Sequence, residues 1–271
     1  KRDTLETIAV IILSVSIVGG AYAYIQMSSD VDPTFTTVES QSMQHSRESR
    51  IGIIDTGDMV VLKNKEKYNL QSYVDGRQSG YATFGEYGNV VVYDRGVGNP
   101  VIHRIMLWLD YDSVTNKWSA PSLKNYDHTL WECDGSNDWN KLSGNLRLFD
   151  VGYSSKTATI NLDILASSYP NSGFLTMGDN RDNYNFDQSI GISKGLVTMK
   201  SINSVAWIEI PWGGVIKVMN SRGPGVIDTW VPNAIPCMAL GIIAVFFVFL
   251  ALNNLVVYHE CSKFYKAKKR K

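Results

Sequence analysis

The chain has 271 residues, enough for one elaborated domain or two small ones, and a formal net charge of zero, which gives no electrostatic ground for a nucleic-acid partner. Its three cysteines exclude a disulfide framework: Cys133 is well inside the chain, while Cys237 and Cys261 stand at opposite ends of an apolar stretch near the C-terminus. The central region must therefore be held by its own core.

From Thr7 to Ile25 the sequence TIAVIILSVSIVGGAYAYI carries no charge and is close to the ~20 residues that a membrane-spanning helix needs. A spanning helix is expected within 1–26. A secretory signal peptide would share its basic start and small residues, but the apolar run exceeds the roughly 7–15 residues of a signal-peptide core, so retention is expected. A second apolar run, 235–258, predicts a second spanning helix, and 259–271 forms a basic tail. Basic residues at both ends predict cytoplasmic termini, with the tail attracted to anionic lipid. Residues 27–234 then lie on the extracytoplasmic side as a mildly acidic domain.

Within that domain β-rich runs recur between turn residues, at 58–62, 89–94, 101–112, 157–165, 174–179, 195–202 and 205–210, and no segment has helical periodicity of useful length. The expected fold is mainly β. Residues 63–88 and 113–155, rich in Asn, Asp, Gly, Ser, Lys and Tyr, read as loops or surface hairpins inserted into the core. Trp207 and Trp212, in VAWIEIPWGGVIKVM (205–219), suit either a buried core strand or an apolar edge at the headgroup level.

Chemistry-bearing residues occur in three places. VESQSMQHS places Ser40 and Ser42 at alternate positions beside a methionine; VIHRI places His103 on an apolar strand; MGDNRDNYNFDQS (177–189) gathers Asp179, Asp182 and Asp187 in one loop. A serine hydroxyl becomes a useful nucleophile when a base takes its proton, and a histidine does so best when a carboxylate fixes its tautomer. The residues alone leave other readings open: a satisfied strand histidine at 103, and an Asx-rich turn or weak calcium loop at 178–183.

Taken in order behind an apolar helix, Ser40-Gln41-Ser42-Met43, GDMVVL from Gly57, VIHRI from Val101 and GDNRDNYNFDQS from Gly178 resemble type I signal peptidases, in particular the archaeal and endoplasmic-reticulum branch with histidine as base. The resemblance covers 36–62, 89–110 and 174–216. It implies a signal-peptidase-like β catalytic domain between two transmembrane helices, with Ser42 as nucleophile, His103 as general base and Asp187 as the orienting carboxylate. Asp179 is then a supporting carboxylate and Asp182 the third choice. Ser40 and the Ser42 N–H would form the oxyanion hole, their side chains sharing a face if the segment alternates as a strand does. Where the family commonly has proline after Ser-Met, this chain has Gln44-His45-Ser46, and His45 is expected on the surface.

The expected activity is a membrane-bound serine endopeptidase that cuts signal peptides after small residues, with no metal or cofactor. Its implied partners are preprotein signal peptides, the lipid bilayer and the protein translocation machinery. Two rivals from other classes remain: a catalytically inactive membrane-tethered binding protein, and a two-span channel or receptor subunit.

Overall fold

The computed structural model describes residues 2–268 other than Val97 and Tyr184, so 269–271 of the basic tail lie outside the described residues. A compact unit, Ser29–Ala234, is separated from the terminal segments before and after it. The first apolar run lies within a helix, α1 (Arg2–Ser29).

In chain order the central unit contains β1 (Phe35–Thr37), β2 (Met59–Lys63), α2 (Tyr73–Ser79), β3 (Ala82–Thr83), β4 (Glu86–Tyr87), β5 (Val90–Tyr93), β6 (Val101–Asp112), β7 (Lys117–Ser119) and β8 (Trp131–Cys133). It continues with β9 (Asn145–Val151), β10 (Lys156–Asn161), α3 (Leu162–Ser168), β11 (Gly173–Met177), β12 (Ile202–Ile210), α4 (Val215–Arg222) and α5 (Pro224–Trp230). The architecture is mainly antiparallel β. One sheet has the order β1-β2-β12-β5-β6-β11, with β7 also paired to β6; β10-β9-β8 form a second sheet and β3-β4 a small hairpin.

The main sheet is held by strands buried on both faces. In β5, Val90 and Val92 pack with Val38, Met43, Val60 and Leu62, while Val91 and Tyr93 pack with Ile105, Phe174 and Val205 on the other side. Each such valine contributes about 1.5–3 kcal/mol relative to an exposed one. The register Val91↔His103 and Val90↔Arg104 puts two adjacent polar residues of β6 on opposite faces of the sheet.

The segment 113–155 departs from the expectation of surface hairpins. Together with β10 it builds the second sheet, and its Trp118, Trp131, Leu142, Leu146 and Leu148 are buried in the same cluster as Met106, Leu107 and Leu109 of β6. The scattered turn residues concealed a core. Residues 63–88 likewise contain a helix and the β3-β4 hairpin rather than loop alone.

Four helices interrupt the expected all-β unit. Ser72 and Asp75 close a capping box on α2, and Asn161 accepts from the Ile164 N–H, so the run expected as a strand over 157–165 ends at Asn161 and continues as α3. The strand expected at 195–202 is reduced to a bridge, Phe174↔Val197, with a turn before β12 begins at Ile202. Trp207 is half-buried under the Lys63 ammonium, 4.3 Å from its ring, and Trp212 donates its indole N–H to Ser49 Oγ at 2.9 Å.

The last helix, α6 (Ala234–Lys268), contains the second apolar run. Among the described residues it supplies the one segment long and apolar enough to cross a membrane, Ala234–Ala251, with a mean hydropathy of 2.6.

Candidate active site

Ser42 sits in a turn, not in a strand. β1 ends at Thr37 and residues 40–43 bend, so the turn rather than strand alternation brings Ser40 Oγ to 3.2 Å from Ser42 Oγ. Met43 anchors this turn as a fully buried peg in the apolar cluster that also contains Val38. Thr56 Oγ1 lies 3.0 Å from the Ser40 carbonyl oxygen and 2.8 Å from Gln44 Oε1, tying the turn to the loop before β2.

The GDN segment grips the same turn from the other side. Asn180 donates its backbone N–H to the Ser42 carbonyl at 2.9 Å and its side-chain amide to the Gln41 carbonyl at 2.6 Å. Gly178 is needed for close approach: a Cβ there would press on the Ser42 carbonyl oxygen and lie 3.0 Å from His103 Nε2. The Ser42 turn and the histidine thus meet across a residue without a side chain.

His103 and Asp187 are both buried. His103 Nδ1 lies 2.9 and 2.8 Å from the two Asp187 carboxylate oxygens. An ionised carboxylate only accepts, so Nδ1 carries a proton, and in the neutral imidazole the lone pair is then on Nε2. Tyr93 donates its hydroxyl to Asp187 Oδ2 at 2.8 Å, and the Asp187 N–H donates to the Thr176 carbonyl at 2.8 Å. Burial works to raise the Asp187 pKa. The His103 charge and the hydrogen bonds from His103, Thr176 and Tyr93 outweigh it and hold the carboxyl below its ordinary range. Burial, and then the Asp187 charge, push the Tyr93 hydroxyl up, so it stays a neutral donor.

The other two aspartates of the loop have different surroundings. Asp179 does not face His103; it makes a buried ion pair with Arg104, whose Nε lies 2.9 Å from Oδ1 and Nη2 2.5 Å from Oδ2. Burial opposes the Asp179 charge, and Arg104 and His45 overcome it, lowering the pKa. Arg104 also donates to the Thr83, Glu86, Tyr87 and Gly88 carbonyls around the β3-β4 hairpin. Asp182 is exposed, and its N–H donates to Asn180 Oδ1 in an Asx turn. His45 is not on the surface as expected: it is buried, stacked on Tyr153 at 4.6 Å and 3.9 Å from Asp179.

Ser42, Ser40 and His103 line one cleft of about 760 Å³ with Val38, Leu62, Val92 and Ile102. Among the described residues the Ser42 Oγ partner is Ser40 Oγ rather than His103, and the Ser42 backbone N–H has no acceptor. Also among them, no group of His, Cys, Asp or Glu is arranged to hold a metal ion. Sequence reasoning missed Tyr93, Asn180 and Thr56. Each acts through a fold-dependent contact, and only Asn180, inside GDN, carried a local signal.

No protein-family profile matches the chain, and neither the curated proteins nor the solved structures contain a match.

Proposed function

We propose that the chain is a membrane-bound serine endopeptidase of the signal-peptidase type, removing signal peptides from exported preproteins on the extracytoplasmic side. The observation that carries this reading is the buried Asp187–His103 pair opening on the cleft that holds Ser42 and Ser40. Ser42 Oγ attacks the scissile carbonyl carbon while His103 Nε2 takes its proton, and Asp187 steadies the imidazolium. The carbonyl oxygen, now charged, accepts from the Ser42 N–H and the Ser40 hydroxyl. His103 returns the proton to the leaving amine, and water, activated by the same nitrogen, releases the acyl group.

The short β1 strand leads straight to Ser40 along the cleft, which suits an extended peptide added at the sheet edge. In this reading α6 spans the bilayer and α1 is proposed to do so with it, anchoring the unit where a signal peptide ends its apolar core. Large exposed apolar side chains on both, such as Val15 and Val18 on α1 and Val245 and Phe247 on α6, favour that placement. Contact with the translocation machinery is part of the same proposal.

The test is preprotein cleavage by the full-length protein in detergent. Ser42→Ala and His103→Ala are each expected to lower kcat by about 10⁶-fold, the scale of losing a member of a Ser-His-Asp unit. His128→Ala keeps wild-type turnover. Normal cleavage by folded Ser42→Ala protein would reject the proposal. The second reading, an inactive binding protein, is favoured by the Ser42 hydrogen bond to Ser40 in place of His103; failure of a serine-directed phosphonate to label Ser42 would support it.

A further inference from the structure

We infer that His45 is a positioning residue for Ser42, acting through Asp179 and seated by both inserted segments; the inference rests on the peptidase reading above. His45 lies at the end of the turn that begins at Ser40, three residues beyond Ser42. Its Nε2 is buried without a hydrogen-bond partner among the described residues, and Asp179 Oδ2, 3.9 Å away, is the acceptor it faces. The ionised carboxylate it faces can only accept, which favours the tautomer with the proton on Nε2; a buried donor left unpaired carries its full desolvation cost, so a small approach of the two groups is favourable. Hydrogen bonds at catalytic sites commonly tighten in this way when substrate binds.

The consequence is geometric. Asn180 already holds the Gln41 and Ser42 carbonyls, and His45 reaches the residue just before Asn180. Closing the 3.9 Å gap ties the nucleophile turn to the GDN segment at a second point. Arg104 fixes Asp179 from β6, one residue beyond His103, so nucleophile and base share one reference point. Asp55 and Glu86 are the other charged groups within electrostatic reach of His45.

Both inserted segments converge on this ring. Tyr153, in the turn between β9 and β10, stacks on it with an interplanar angle of 19°. Gly85, in the turn between β3 and β4, approaches so closely that a Cβ there would lie 3.2 Å from His45 Cε1. The inserted sheet and the small hairpin thus seat the imidazole against Asp179. This gives the two insertions a role in the reaction that their sequences do not announce.

The experiment compares His45→Leu, His45→Gln and Tyr153→Ala in the full-length protein. Preprotein cleavage gives kcat and KM, and amide hydrogen exchange is followed over residues 41–46. His45→Leu is expected to lower kcat by about 10–100-fold at unchanged KM, the scale of a small displacement of a reacting group, and to speed exchange at Gln44, whose N–H donates to the Gln41 carbonyl. His45→Gln, which keeps an Nε2 donor, is expected to recover kcat to within about threefold. Tyr153→Ala removes a half-exposed ring and leaves the core intact, so it reads the seating if His45→Leu does not fold; a lower kcat is expected. Wild-type kcat in His45→Leu, or in Tyr153→Ala if that variant alone folds, overturns the inference. Equal loss in the Leu and Gln variants, or a raised KM with kcat kept, does so too. If Ser42→Ala shows that the protein is not a peptidase, the exchange measurement still decides: unchanged protection in His45→Leu rejects the tie between the two turns.

Discussion

Two buried aspartates of one loop face two neighbouring residues of β6, and the pairs do opposite work. Asp187 meets His103, whose other nitrogen is left with a lone pair at the cleft; Asp179 meets Arg104, which cannot give up its charge and spreads its remaining donors over the β3-β4 hairpin. Both carboxyls are held below their ordinary pKa. The difference lies in the partner: one pair leaves a proton free to move, the other locks backbone in place. Strand alternation makes this division available, because a step of one residue along β6 changes the face.

The sharpest way to break this comparison is to exchange the aspartates for asparagine in turn. Asp187→Asn is expected to lower kcat by about 10⁴-fold while the fold persists, since the amide favours the wrong imidazole tautomer. Asp179→Asn leaves Arg104 buried without its counter-charge and is expected to cost about 3–5 kcal/mol of stability, read by denaturant unfolding. If Asp179→Asn instead kept stability and lost turnover to the extent of Asp187→Asn, the assignment of roles would be reversed.

A smaller effect sharpens the catalytic side. On the proposed peptidase reading, Ser40→Ala removes one donor to the developing oxyanion and is expected to lower kcat by about 10²–10³-fold with KM little changed. An unchanged kcat would take Ser40 out of the reaction.

The smallest effect concerns acid stability. A carboxyl with a depressed folded pKa contributes stability that is present above the unfolded aspartate value of about 3.9 and is lost as pH falls through the lower folded value. Thermal unfolding of the wild type is therefore expected to move to lower temperature below about pH 4. Asp179→Asn should show a shallower acid decline from its lower starting point. An acid limb as steep as that of the wild type would mean that Asp179 does not carry this term.

Much of this was legible from residue order. The strand expected at 101–112 is β6; Ser42 and His103 line one cleft, and Gly178 of the 177–189 loop lies against both. What stayed hidden depends on three-dimensional closure. Polar turn residues on either side of Trp131 masked the second sheet, because β8 has only three residues and the alternating Leu146 and Leu148 of β9 stand among turn formers. The helices α2 to α5 have seven or eight residues each, too few to display a period. His45 looked like a surface residue because nothing local announces that Tyr153, more than a hundred residues later, will cover it.

The absence of a side chain at position 178 has a genetic consequence. Every substitution of glycine adds a Cβ, and here that one carbon enters the space shared by the Ser42 carbonyl and the His103 ring. No replacement offers a graded change, because the smallest of them, alanine, already carries the offending atom. Position 178 is therefore expected to take no side chain at all unless the Ser42 turn or the His103 ring shifts.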